Sequence, residues 1–166
     1  MKTWIATAAL AVLATPGATM AADPPDLAQW ERDHATLGTW SFIVDLTIKR
    51  CEKEFPDELT PIRMGILDWF KDNADRLAQL ERGRELLLKH LSKLNGKPAK
   101  KIEAELKRTV EREAFKPIYT DVPAPERHKI CLHLETALPK LLAGHQEGIP
   151  AALRRVKAWL PPAAAD

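Results

Sequence analysis

Glycine and cysteine are scarce: the 166-residue chain has seven of the first and two of the second. So few glycines leave no glycine-rich phosphate cradle, and no G-x-S-x-G, C-x-x-C or H-E-x-x-H occurs. The usual signatures of nucleophilic, redox and zinc-peptidase chemistry are therefore missing, and no catalytic residue and no cofactor are expected. Net charge is small as well, +2 over the chain, which argues against the broad positive field of a nonspecific nucleic-acid binder. Only residues 3–22 form an apolar, charge-free run, so the remaining chain offers no membrane span. No repeat of 20 to 50 residues and no low-complexity tract is found.

What is present begins with that run. Lys2 precedes an apolar stretch from Trp4 to Ala14, Pro16-Gly17 interrupts it, and small residues Ala18, Ala21 and Ala22 follow. This is the order of a secretory signal peptide, so residues 1–22 are expected to be cleaved and the protein to be periplasmic or secreted. Hydrophobic residues at 45% and charged residues at 29% suit one globular domain, assigned to residues 23–160, with 161–166 as a flexible tail. In an oxidising compartment Cys51 and Cys131 are expected to pair, closing an 80-residue separation.

Hydrophobic spacing predicts an all-α chain. Leu27, Trp30, His34, Leu37, Ser41, Val44, Ile48, Cys51 and Phe55 alternate at steps of three and four, one stripe of a helix over 26–54. Phe42, Val44, Leu46 and Ile48 also alternate as a strand would, and Gly38-Thr39 could interrupt the helix. No other segment offers such a strand a partner, which favours the helix. Thr60-Pro61 reads as the start of a second helix, 61–94, with Phe70 and Leu94 on its inner face and Asn95-Gly96 as its end. A third helix opens at Pro98. Residues 116–125, holding Pro117, Tyr119, Pro123 and Pro125, read as an extended connection. A fourth helix starts at Pro125 and should kink or split at Pro139. A short last helix places Leu153, Val156, Trp159 and Leu160 on one side. The simplest assembly is an antiparallel up-down bundle of four main helices plus a short C-terminal one, locked by one disulfide.

Few residues invite a functional reading. His128, Glu135 and His34 are weak metal candidates, because His128, Cys131 and Glu135 share a helix face while the thiol is better used in a disulfide. His90 and His145 have no ligand at suitable spacing. Paired carboxylates such as Glu103 and Glu105 read as solvated surface. Lys89, Lys93, Lys97, Lys100 and Lys101 cluster around Asn95-Gly96 and would attract lipid head groups, cell-wall polymer or an acidic protein. The competing and favoured expectation is that Asp23, Asp26, Glu31 and Asp33 neutralise them within the fold. Tyr119, in the proline-rich connection, is a candidate contact residue. Trp30, Trp40, Trp69 and Trp159 fit a core.

Leu59-Thr60-Pro61-Ile62-Arg63 resembles the L-T-x-x-Q element of helical periplasmic stress chaperones, with Arg63 at the glutamine position and no second copy. No family is assigned on five residues. The expected role is non-catalytic binding of an unidentified protein or envelope component, as an immunity or inhibitor protein, an assembly factor or a chaperone would do. The alternative is a periplasmic metal- or small-ligand-binding helical protein. The oligomeric state is not legible.

Overall fold

A computed structural model describes residues 23–160, and every regular element among them is helical. The leader assigned to 1–22 and the tail at 161–166 lie outside the described residues. Helix α1 spans Leu27–Glu54, unbroken at Gly38-Thr39. Its N-terminus is capped by the Asp26 carboxylate, which accepts from the Gln29 N–H at 2.7 Å and satisfies one of the orphan donors of the first turn. Gly38 is a point of close approach: a Cβ there would stand 2.5 Å from Leu106 Cδ2.

A 3₁₀ turn, Pro56–Glu58, leads into α2, Leu59–Asn95. Thr60 is therefore not the cap expected from Thr60-Pro61. Pro61 lies within the first turn, where a missing N–H costs no intrahelical bond. The helix ends as expected, with Gly96 left-handed at φ 61°. Helices α1 and α2 are antiparallel: Glu52 bonds Arg63, Trp40 meets Trp69, and Trp30 meets His90.

Helix α3 is Ala99–Val110, and the chain continues without a break into a π-helical segment, Glu111–Thr120. The extended connection expected over 116–125 is thus wrong as far as Thr120. The wider π turn shifts the register, so that Phe115, five residues after Val110, faces inward with Tyr119, where an unbroken α-helix would have turned Ala114 in. This rod runs alongside α1, through Lys107 to Asp45, Arg50 to Glu111, and Cys51 to Tyr119. Arg84 on α2 joins it through Glu103.

The expected fourth helix is divided. Helix α4, Ala124–Leu132, stops at His133 (φ −129°, ψ 48°), and α5, Leu134–Leu142, continues past Pro139 without a split. The break therefore comes six residues before the proline. The His133 carbonyl accepts from the N–H groups of Thr136 and Ala137, and Leu134 is seated against Gly65 of α2. Helix α6 is Ile149–Trp159, entered through Gly148 at φ 85°. Its inner face is Ile149, Ala152 and Val156; Trp159 follows on the same face in the last turn but is exposed, not the core residue expected. Contacts from Cys131 to Cys51 and from Arg155 to Asp33 make α4 to α6 run opposite to α1.

The core is one cluster from Trp30 to Val156, with Trp40, Phe115 and Tyr119 among its fully buried side chains. Cys51 and Cys131 form the expected disulfide, both sulfurs buried and the Cα atoms 5.3 Å apart.

Candidate interaction surfaces

The residues singled out in the sequence do not come together. His34 is buried on α1, and its Nε2 has no protein hydrogen-bond partner. Burial, aided by the Arg84 cation and opposed by Glu103, pushes its pKa down to about 4. It is a neutral core imidazole at neutral pH. His128 lies near the other end of α1, its ring 4.8 Å from that of Phe55 and its Nε2 3.7 Å from Glu58. Glu135 faces His133 at 3.8 Å. Among the described residues no three His, Cys, Asp or Glu side chains form a group able to hold a metal.

Tyr119 is wholly buried, which corrects its reading as an exposed contact residue. Its ring stacks on Phe115 at 5.1 Å, and its hydroxyl lies 3.3 Å from Cys131 Sγ and 3.8 Å from Cys51 Sγ. Disulfide sulfurs carry no proton, so the phenol donates. Burial, reinforced by Glu54 and opposed by Arg127 and Arg50, pushes the phenol up to about 12.

Around the α2–α3 turn Lys89, Lys93, Lys97, Lys100 and Lys101 are all exposed. Lys97 pairs with Glu105 at 3.5 Å; none of the five pairs with Asp23, Asp26, Glu31 or Asp33. The favoured internal neutralisation is therefore not formed by direct pairing. Asp33 is instead buried and clamped by the Arg155 guanidinium through two bonds, at 2.6 and 2.8 Å, while Gln29 Nε2 donates to it at 2.8 Å. The sequence reading missed that pair, since nothing in the spacing of residues 33 and 155 links them.

It also missed the outer face of α2. Ile62, Ile66 and Trp69 turn inward, yet Met64, Leu67 and Phe70 are 61, 66 and 37% exposed, and Ala74 and Ala78 extend the same apolar region. Phe70 is thus not the core residue expected. On one side this surface runs into a groove of about 410 Å³ between α1 and α2, lined by Val44, Ile48, Phe70 and Leu77. On the other, beyond Ala78, a groove of about 690 Å³ lies between α2 and α6, lined by Leu86, Leu153, Val156 and Leu160 with Arg82 and Lys157 at its edge. The α2 stretch 60–78 thus exposes large apolar side chains on its outer face as well as burying them on its inner one, with the Arg63 and Lys71 cations interspersed among Met64, Leu67 and Ala74.

No family model, no curated protein and no solved structure matches this chain.

Proposed function

We propose that this is an exported, non-catalytic binding protein that holds an amphipathic helix of a partner protein against the outer face of α2. In this reading the helices make four antiparallel columns, α1, α2, α3 with its π segment, and the divided column α4 to α6. The disulfide keeps the columns in register and presents a rigid surface, which reduces the ordering cost of association. The observation that carries the reading is the outer face of α2, with Met64, Leu67 and Phe70 exposed beside a groove parallel to the helix axes. A partner helix inserting anchors at i, i+3 or i+4 and i+7 fits such a groove.

The test places a photoreactive phenylalanine analogue at Leu67 in cells that export the protein. A discrete adduct that disappears in the Met64→Glu/Ala78→Glu background, both positions being exposed, with the thermal melt of the exported protein retained, supports the reading. No adduct at Leu67, or one indifferent to those charges, defeats it. Sequencing of the exported chain should find its first residue near Asp23; retention of residues 1–22 in a cytoplasmic protein removes the export half.

A further inference from the structure

We propose that one end of the molecule, formed by the start of α1, the α2–α3 turn and the end of α6, docks on an anionic phospholipid surface. Three helices each present an apolar side chain there, one turn beyond an inter-helix contact. The Trp30 and His90 rings meet at 5.2 Å; Leu27 precedes Trp30 by three residues and Leu94 follows His90 by four. Arg155 holds Asp33, and Trp159 follows Arg155 by four. Leu27, Leu94 and Trp159 are 41, 52 and 39% exposed. The other large exposed hydrophobics among the described residues, Met64, Leu67 and Phe70, lie in the opposite half of α2. The two apolar surfaces are therefore separate.

Lysines stand beside these apolar tips. Lys89 and Lys93 lie on the last two turns of α2, and Lys97, Lys100 and Lys101 on the turn and the start of α3. Of the acids in the adjoining stretch, Glu103 is engaged by Arg84 and Glu105 by Lys97, which leaves Glu85, one turn before Lys89, against Lys89, Lys93, Lys100 and Lys101. Asp23, Asp26 and Glu31 belong to the α1 side, where the Asp26 carboxylate faces its own helix N-terminus. The lysine side is a positive lobe next to exposed leucine and tryptophan. That layout suits a peripheral lipid contact: indole at the head-group level, aliphatic tips at the acyl boundary and lysine ammonium groups at the phosphates.

The processed chain, purified after export, is mixed with vesicles of equal parts phosphatidylglycerol and phosphatidylcholine, and separately with phosphatidylcholine alone. Trp30, Trp40 and Trp69 are buried, so among the described tryptophans Trp159 is the one whose emission should respond. We expect co-sedimentation with the anionic vesicles only, a blue shift, protection from acrylamide and loss of binding in high salt. At roughly fivefold per lysine, Lys93→Glu/Lys100→Glu/Lys101→Glu should weaken partitioning by about a hundredfold or more. Trp159→Phe should keep most of the binding and lose the emission change. Met64→Glu/Leu67→Glu should leave vesicle binding unchanged, so this proposal and the α2 reading fail separately. The proposal is overturned by no binding to anionic vesicles, by binding that the lysine variant retains, by an unchanged Trp159 emission on binding, or by capture of polyglutamate with vesicles ignored.

Discussion

The Tyr119 hydroxyl donates to the Cys131 sulfur at 3.3 Å and so stands over the disulfide that joins α1 to α4. Tyrosine, sulfurs and the stacked Phe115 are all fully buried, and the π segment is what brings both rings inward. A reductant can reach the bond only when the segment opens. In the native protein the disulfide should resist reduction at concentrations that reduce it at once in denaturant, as alkylation and mass measurement would show. Tyr119→Phe removes one buried hydrogen bond and should cost about 1 kcal/mol. Tyr119→Ala opens a cavity over the sulfurs and should cost about 3 to 5 kcal/mol and speed reduction markedly. Equal reduction rates in all three proteins would show that the ring does not guard the bond.

Replacing both cysteines tests the link itself. Closing an 80-residue loop restricts the unfolded chain by about 4 to 5 kcal/mol in the chain-entropy account, with measured losses commonly about 2 to 5 kcal/mol. Cys51→Ala/Cys131→Ala should lower the urea midpoint accordingly while keeping the helical circular dichroism spectrum, because the helices are also held by a continuous core. A variant that loses its helical signal altogether would mean that the core cannot order the columns unaided.

Most of α1 was legible because its stripe keeps an unbroken three-and-four alternation, and the end of α2 because Asn95-Gly96 supplies the left-handed residue the terminus uses. The π segment was not. Its inward residues Val110 and Phe115 are five apart, a spacing that belongs to neither the helical nor the strand period, and Pro117 argued against any helix. Phe115 and Tyr119, an aromatic pair at i, i+4, were the available signal. The break at His133 carries no glycine or proline and falls beside the contact of Leu134 with Gly65. The outer face of α2 was illegible for a different reason. Phe70 lies four residues after buried Ile66, so spacing alone assigns it to the core, and only the positions of the neighbouring helices show that no element covers it.

Asp33 and Arg155 tie the last helix to the first. The carboxylate is only 2% exposed, and its two guanidinium bonds together with Gln29 Nε2 compensate its loss of water. Removing one partner leaves a buried charge without its counterion, so Arg155→Ala should cost about 3 to 5 kcal/mol. Asp33→Leu/Arg155→Leu removes both charges and should recover much of that loss. Denaturant melts of the two single variants and the double variant give the coupling directly. Additive single effects would show that the pair contributes nothing as a pair.

His34 should make stability fall on acidification. Its folded pKa, about 4, lies below the ordinary imidazole value of 6.5, because burial and the Arg84 cation disfavour the imidazolium while Glu103 only partly offsets them. Between those two values the unfolded chain binds the proton more readily than the native one. The contribution is therefore complete above about pH 6.5, declines as pH falls through the window, and is gone below about pH 4. At 1.36 kcal/mol per pKa unit the whole effect is about 3 kcal/mol. Urea midpoints measured from pH 7.5 down to 4.5 should fall steadily in the native sequence. In His34→Leu, where the buried imidazole gives way to an apolar side chain, the slope across this window should be shallower by close to one proton. Parallel slopes in the two proteins would assign the acid sensitivity to other groups and place the His34 ring in contact with solvent in the native state.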